Sequence, residues 1–186
     1  MRKKLYLSEL QKKLRFRVSS NMSLYSVKHF SENKYGDKYD LDVYLPSKDM
    51  NLQRGLVWSS EQKEEFIKSI FKGIQILPLS IIQYRGSPGI SSQVTYKFID
   101  GKQRFTTVLS FLENGFPIRV NGIGYHYRDL AQDAKDNIDR FDFTFNIAYE
   151  YDYDMISDDE KIQWFEMINF MGTKQDSEHL KLLKSR

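Results

Sequence analysis

Apolar and polar positions switch between a period of two and a helical period several times along the chain. Residues 5–16 are compatible with a short helix, and residues 22–32 with a second one whose Ser and Asn content weakens it. Leu41, Val43 and Leu45 alternate with Asp42 and Tyr44, which predicts a strand over residues 41–45 stopped by Pro46. Residues 52–58 read as a short extended piece. The next helix has the clearest signature: Ser59 and Gln62 have capping-box spacing, Phe66, Ile67, Ile70, Phe71 and Ile74 mark one face, and Gly73 suits the C-cap. Pro78 opens a strand over residues 79–84. Gly86, Pro88 and Gly89 mark a loop, and a strand over residues 94–99 puts Val94, Tyr96 and Phe98 on one face.

A helix is predicted after Asp100-Gly101, with Phe105, Val108, Leu109 and Leu112 inward and Gly115 as its end. Asn121-Gly122 is a strong hairpin turn between two short extended pieces. Residues 129–139 read as an acidic helix and residues 143–151 as a strand. Ser157 and Glu160 form a second capping-box pair, opening a helix with Ile162, Phe165 and Ile168 inward. The chain turns after Met171-Gly172, and residues 176–184 read as a last helix. Strands and helices alternate early and helices dominate late, which predicts an α+β fold.

A chain of 186 residues suits one domain with an appendage. Without cysteine, disulfides, thiolate zinc sites and a Cys nucleophile are excluded. The basic start Met1-Arg2-Lys3-Lys4 turns polar before an apolar core of a signal peptide develops, and no stretch approaches the roughly 20 apolar residues of a membrane span. The expectation is a cytoplasmic protein that does not engage a membrane. Charge is uneven: residues 1–35 carry nine Lys/Arg against two Asp/Glu, and residues 129–160 carry two against eleven. A basic arm of that kind suits nucleic acid or an acidic partner, or simply a solvated face. The histidines, His29, His126 and His179, show no metal-ligand spacing.

The densest polar chemistry is Asp100-Gly101-Lys102-Gln103-Arg104 at a strand-to-helix turn. Gly101 lets the backbone bend and a ligand approach it. The helix start offers free N–H groups and a positive dipole end, Lys102 and Arg104 add charge, and Thr106 and Thr107 add hydroxyls. Asp100 can hold Mg²⁺ between phosphates or orient a water. The plainer alternative makes Asp100 a helix cap and pairs Arg104 with a nearby carboxylate. A second pair, Gln53-Arg54, precedes Trp58, over which Arg54 can lie as a cation–π contact.

The order of these pieces resembles the ParB-like superfamily, in particular the N-terminal domain of GmrSD-type modification-dependent restriction enzymes. The family pattern is Gln-Arg, an aromatic and Trp, then Asp-Gly-x-Gln-Arg. Here it reads Gln53-Arg54-Gly55-Leu56-Val57-Trp58, with Leu56 in the aromatic's place, and Asp100-Gly101-Lys102-Gln103-Arg104. Tyr127-Arg128-Asp129-Leu130 and Phe165-Glu166-Met167-Ile168-Asn169 with Gly172-Thr173 extend the likeness. Lys174-Gln175-Asp176 departs from it, since the family places an apolar residue there. The resemblance implies a ParB/sulfiredoxin-like fold: a small mixed sheet flanked by helices, with a helical C-terminal part. Residues 1–39 would be a basic arm with short helices and residues 40–186 the ParB-like domain. Sulfiredoxin chemistry needs a Cys and is excluded.

The resemblance further implies a nucleoside triphosphate bound with Mg²⁺. Arg54 and Arg104 would contact phosphates, with Lys102, Thr106 and Thr107 beside them. Gln53 and Gln103 would position the phosphates, Gly101 would permit close approach, and Asp100 would handle metal or water. The leading expectation is a nucleotide-binding regulatory domain, with hydrolysis left open, in a DNA-linked restriction, defence or phage system. DNA and a separate nuclease or effector are the expected partners. A non-catalytic DNA- or protein-interaction module is the alternative. A small Mg²⁺-dependent DNA nuclease comes third, because restriction relatives carry their His-Asn-His nuclease in a separate domain.

Overall fold

A computed structural model describes residues 19–26, 36–85 and 94–170. The helices expected over residues 5–16 and 176–184, most of the loop over residues 85–93 and the turn after Met171 lie outside the described residues. In chain order, the first half holds β1 (Ser19–Ser26), β2 (Lys38–Asp40), β3 (Tyr44–Leu45), β4 (Met50–Asn51), α1 (Ser60–Phe71), β5 (Leu79–Arg85) and β6 (Val94–Asp100). The second half holds α2 (Lys102–Leu112), β7 (Ile118–Val120), β8 (Ile123–Tyr125), a 3-10 turn (Tyr127–Asp129), α3 (Gln132–Asp139), β9 (Asp142–Tyr151) and α4 (Asp158–Phe170).

The main sheet is mixed, in the order β1-β9-β5-β6-β2. Strand β9 runs parallel to β5 and antiparallel to β1, while β6 runs antiparallel to β5 and parallel to β2. This is the α+β class that the alternation of periods predicts, with the small mixed sheet that the resemblance implies. The sheet takes in Ser19–Ser26, within the arm expected over residues 1–39, and Lys38–Asp40, which straddles the expected boundary.

Both faces of the sheet are covered. On one, Leu79, Ile81, Phe98, Phe143, Phe145 and Ile147 meet Ile67 and Ile70 of α1, Phe105, Val108 and Phe111 of α2, and Ile138 of α3. On the other, Ile82, Ile99 and Ala148 meet Val43, Leu45 and Leu52 around the β3–β4 pair, and Ile162, Trp164 and Phe165 of α4. Rings dominate the first core: Phe105 lies 4.6 Å from Phe98 and 5.7 Å from Phe143. Each fully buried ring of this kind contributes roughly 1.5–3 kcal/mol.

The caps follow the sequence closely. Ser59 Oγ accepts from Gln62 N at 3.3 Å, and Gln62 Oε1 accepts from Ser59 N at 2.8 Å. At the far end Gly73 N donates to Ile70 O and Ile74 N to Ser69 O, the paired bonds of a Schellman motif. Ser157 and Glu160 make the second capping box. Asn121 and Gly122, at φ 52° and 81°, form the predicted hairpin turn, which needs a left-handed backbone at both positions.

Three local expectations are corrected. Residues 22–26 are strand rather than the start of a helix: pairing with β9 outweighs a weak local preference. Residues 41–45 are not one strand. Asp40 Oδ1 accepts from Asp42 N at 3.2 Å, and this local bond bends the chain so that strand lies on either side, at residues 38–40 and 44–45. Helix α2 ends with Asn114, not Gly115, in the left-handed position (φ 62°). Gly115 serves closeness instead, since its N donates to Ser110 O at 2.7 Å and a Cβ there would sit 2.9 Å from that oxygen.

Candidate functional site

Strand β6 ends at Asp100, and α2 begins at once. Gly101 makes this turn possible on two counts. Its φ of 100° is disfavoured for any residue with a side chain, and a Cβ there would lie 2.3 Å from Leu79 Cδ2. Gly101 is also the N-cap of α2, so the helix begins without a side-chain cap. The alternative that Asp100 caps this helix is therefore replaced: its carboxylate turns to Arg104 instead.

The structure brings both Gln-Arg motifs to this turn. The Gln103 amide clasps the loop after Arg54, donating through Nε2 to Gly55 O at 2.9 Å. Its Oε1 accepts from Val57 N at 3.2 Å and Trp58 N at 3.4 Å. Gln53 Nε2 donates to Phe98 O on β6 at 2.6 Å. Both glutamines thus hold the loop of the first motif against the turn of the second. Trp58 packs its ring edge against Phe66, 5.1 Å away, in place of the cation–π contact with Arg54.

The cations differ sharply. Arg104 is 15% exposed, and its guanidinium donates to Leu77 O, to Pro78 O at 3.3 Å and to Asp100 Oδ2 at 2.7 Å. Burial lowers its pKa from the ordinary value, Asp100 opposes that, and an arginine so placed stays charged. Lys102 is buried, with its ammonium on Asp42. Arg54 is exposed and carries no hydrogen bond or ion pair among the described residues. Thr106 Oγ1 bonds back to Lys102 O at 2.8 Å, and Thr107 is buried. Of the residues singled out in the sequence, Arg54 is exposed and Asp100 partly so, while Gly101 and Lys102 at the start of α2 are buried.

Sequence reasoning passed over Ser80, which β5 pairs with Asp100. The available signal was a polar residue between Leu79 and Ile81 in an otherwise apolar run. It also passed over Asp42 and the Leu77 and Pro78 carbonyls, for which no local signal exists. His126 lies at the start of the 3-10 turn, its Nδ1 3.5 Å from Asp129 Oδ2, while His29 and His179 lie outside the described residues. No group of three His, Asp or Glu among the described residues is placed to hold a metal ion. No described helix is long and apolar enough to cross a membrane.

An α+β domain with a glycine-led, uncapped helix start, clasped to a second Gln-Arg loop, is the class that fold and site define. The model of one family, the GmrSD restriction endonuclease N-terminal domain, matches residues 28–185. The chain belongs to that family. No curated protein and no solved structure matches it.

Proposed function

We propose that this chain is the nucleotide-binding regulatory domain of a DNA restriction system, taking a nucleoside triphosphate with Mg²⁺. The observation that supports it is the joining of two distant segments. There the start of α2, which has no side-chain cap, is tied by Gln103 to a loop that carries Arg54, exposed and without a partner among the described residues. Helix N–H groups and an exposed guanidinium together suit a polyphosphate. Lys102 and Arg104 act at one remove, as the buried pairs that fix the turn.

A Mg²⁺ would neutralise charge between the phosphates, and Asp100 would hold it: the carboxylate is 22% exposed and only Oδ2 is held by Arg104. The same carboxylate is the group to orient a water for hydrolysis. The link to DNA follows from the restriction endonuclease to which the family's domain belongs.

Calorimetric titration with ATP, GTP, CTP and UTP in the presence of Mg²⁺ tests this. The unaltered protein is expected to bind at least one of them, and Arg54→Ala to weaken that binding by about tenfold or more. Failure of the unaltered protein to bind any of the four would sink the proposal, as would affinity indifferent to Arg54→Ala.

A further inference from the structure

Leu79 and Ile81 face the core under α1 and α2, so Ser80 between them faces the other side of the sheet, toward α4. That face is apolar at Ile82, Ile99 and Ala148, all fully buried. Ser80 is 1% exposed, and its Oγ has no hydrogen-bond partner among the described residues. A buried hydroxyl left in this state costs about 1–3 kcal/mol, and alanine would occupy the position without that cost. Packing gives no reason for a serine here.

The ladder shows what this hydroxyl adjoins. Strand β5 pairs Ser80 with Asp100 on β6 and with Asn146 on β9. Ile99 is skipped between the Ser80–Asp100 and Ile81–Phe98 pairs, a bulge that sets Ile99 and Asp100 together opposite Ser80. Directly opposed residues on an antiparallel pair share a face, with Cβ atoms about 4.5–5.5 Å apart. The register therefore puts Ser80 in the same row of the sheet as Asp100, whose carboxylate is already assigned to the metal. Mg²⁺ takes few protein oxygens and completes its shell with phosphate and water, and a hydroxyl beside a carboxylate is a recurrent protein contribution.

We infer that Ser80 supplies a second protein oxygen, beside Asp100, for the Mg²⁺ of the bound nucleotide. This rests on the nucleotide reading above. It explains why a polar side chain is buried without a partner among the described residues at the end of β5 nearest the Asp100-Gly101 turn. The requirement for a bulge at Ile99 follows, since without it Asp100 would face the opposite core.

The test compares the unaltered chain with Ser80→Ala by calorimetric titration of each nucleoside triphosphate, with Mg²⁺ and with Mg²⁺ removed by chelation, and by thermal melting. Ser80→Ala is expected to lose about tenfold of the affinity gained through Mg²⁺, to bind metal-free nucleotide as before, and to melt no lower than the parent. A Mg²⁺ gain equal to the parent's overturns the role of Ser80 and leaves nucleotide binding standing. A variant that melts well below the parent shows that the hydroxyl serves the fold, and overturns it as well. An unaltered chain that binds no nucleotide overturns both readings.

Discussion

The same dipeptide occurs at two places in this site and meets two fates. Gln53-Arg54 lies on a loop, its glutamine bonded to Phe98 O and its arginine exposed without a partner among the described residues. Gln103-Arg104 lies in the first turn of α2, with its glutamine clasping the other loop and its arginine held by two carbonyls and a carboxylate. The glutamines do similar work, each joining its segment to the other. The arginines do not: one is exposed, while the other is largely buried and secures the turn. A motif written twice in a sequence is therefore not two copies of one contact.

Arg104→Ala is the strongest way to break this comparison. It leaves Asp100 and the Leu77 and Pro78 carbonyls without their shared donor. It is expected to cost about 3 kcal/mol, seen as a lower urea midpoint with an unchanged slope. Arg54→Ala should move the same midpoint by no more than about 0.5 kcal/mol. Equal losses from the two substitutions would erase the distinction.

The glutamines sharpen it at smaller amplitude. Gln103→Ala removes the clasp on Gly55, Val57 and Trp58. It should cost about 1–2 kcal/mol and weaken nucleotide binding through the loosened Arg54 loop. Arg54→Ala on that background should then weaken binding less than it does alone, because the two changes act through one loop.

The smallest effect concerns the frame that both motifs share. Glu64 of α1 bonds Lys68 and takes Arg119 N of β7 at 2.6 Å, and these contacts, Lys68 first, hold its pKa below the usual carboxylate value. A depressed carboxylate contributes stability that is present above its unfolded pKa, roughly 4.3, and is lost as pH falls through the lower folded value. The thermal midpoint should therefore fall on acidification below about pH 4.3, and Glu64→Gln should flatten that fall by about 2–4 °C. Arg54→Ala should leave the slope unchanged.

Much of the scaffold was legible along the chain because its signals are short-range. The capping boxes at Ser59 and Ser157, the Asn121-Gly122 turn and the alternation in β6 each lie within a few residues, and each formed as expected. The helix expected over residues 22–32 failed at its start because what decides residues 19–26 is a strand more than a hundred residues away. Site residues were legible by type and order, not by role.

By itself the sequence determined the family, through two motifs in order, along with the α+β alternation and the glycine at which β6 turns into α2. Only the tertiary structure decided which cations face outward. Lys102 meets Asp42 across 60 positions, and Arg104 meets Leu77 across 27. Periodicity and capping report on neighbours within about one helical turn or one strand. A charge is committed or left free by partners that folding brings from far along the chain. For the same reason Ser80, an ordinary polar residue in the sequence, becomes a buried hydroxyl in the same row of the sheet as Asp100 only once β5 and β6 have paired.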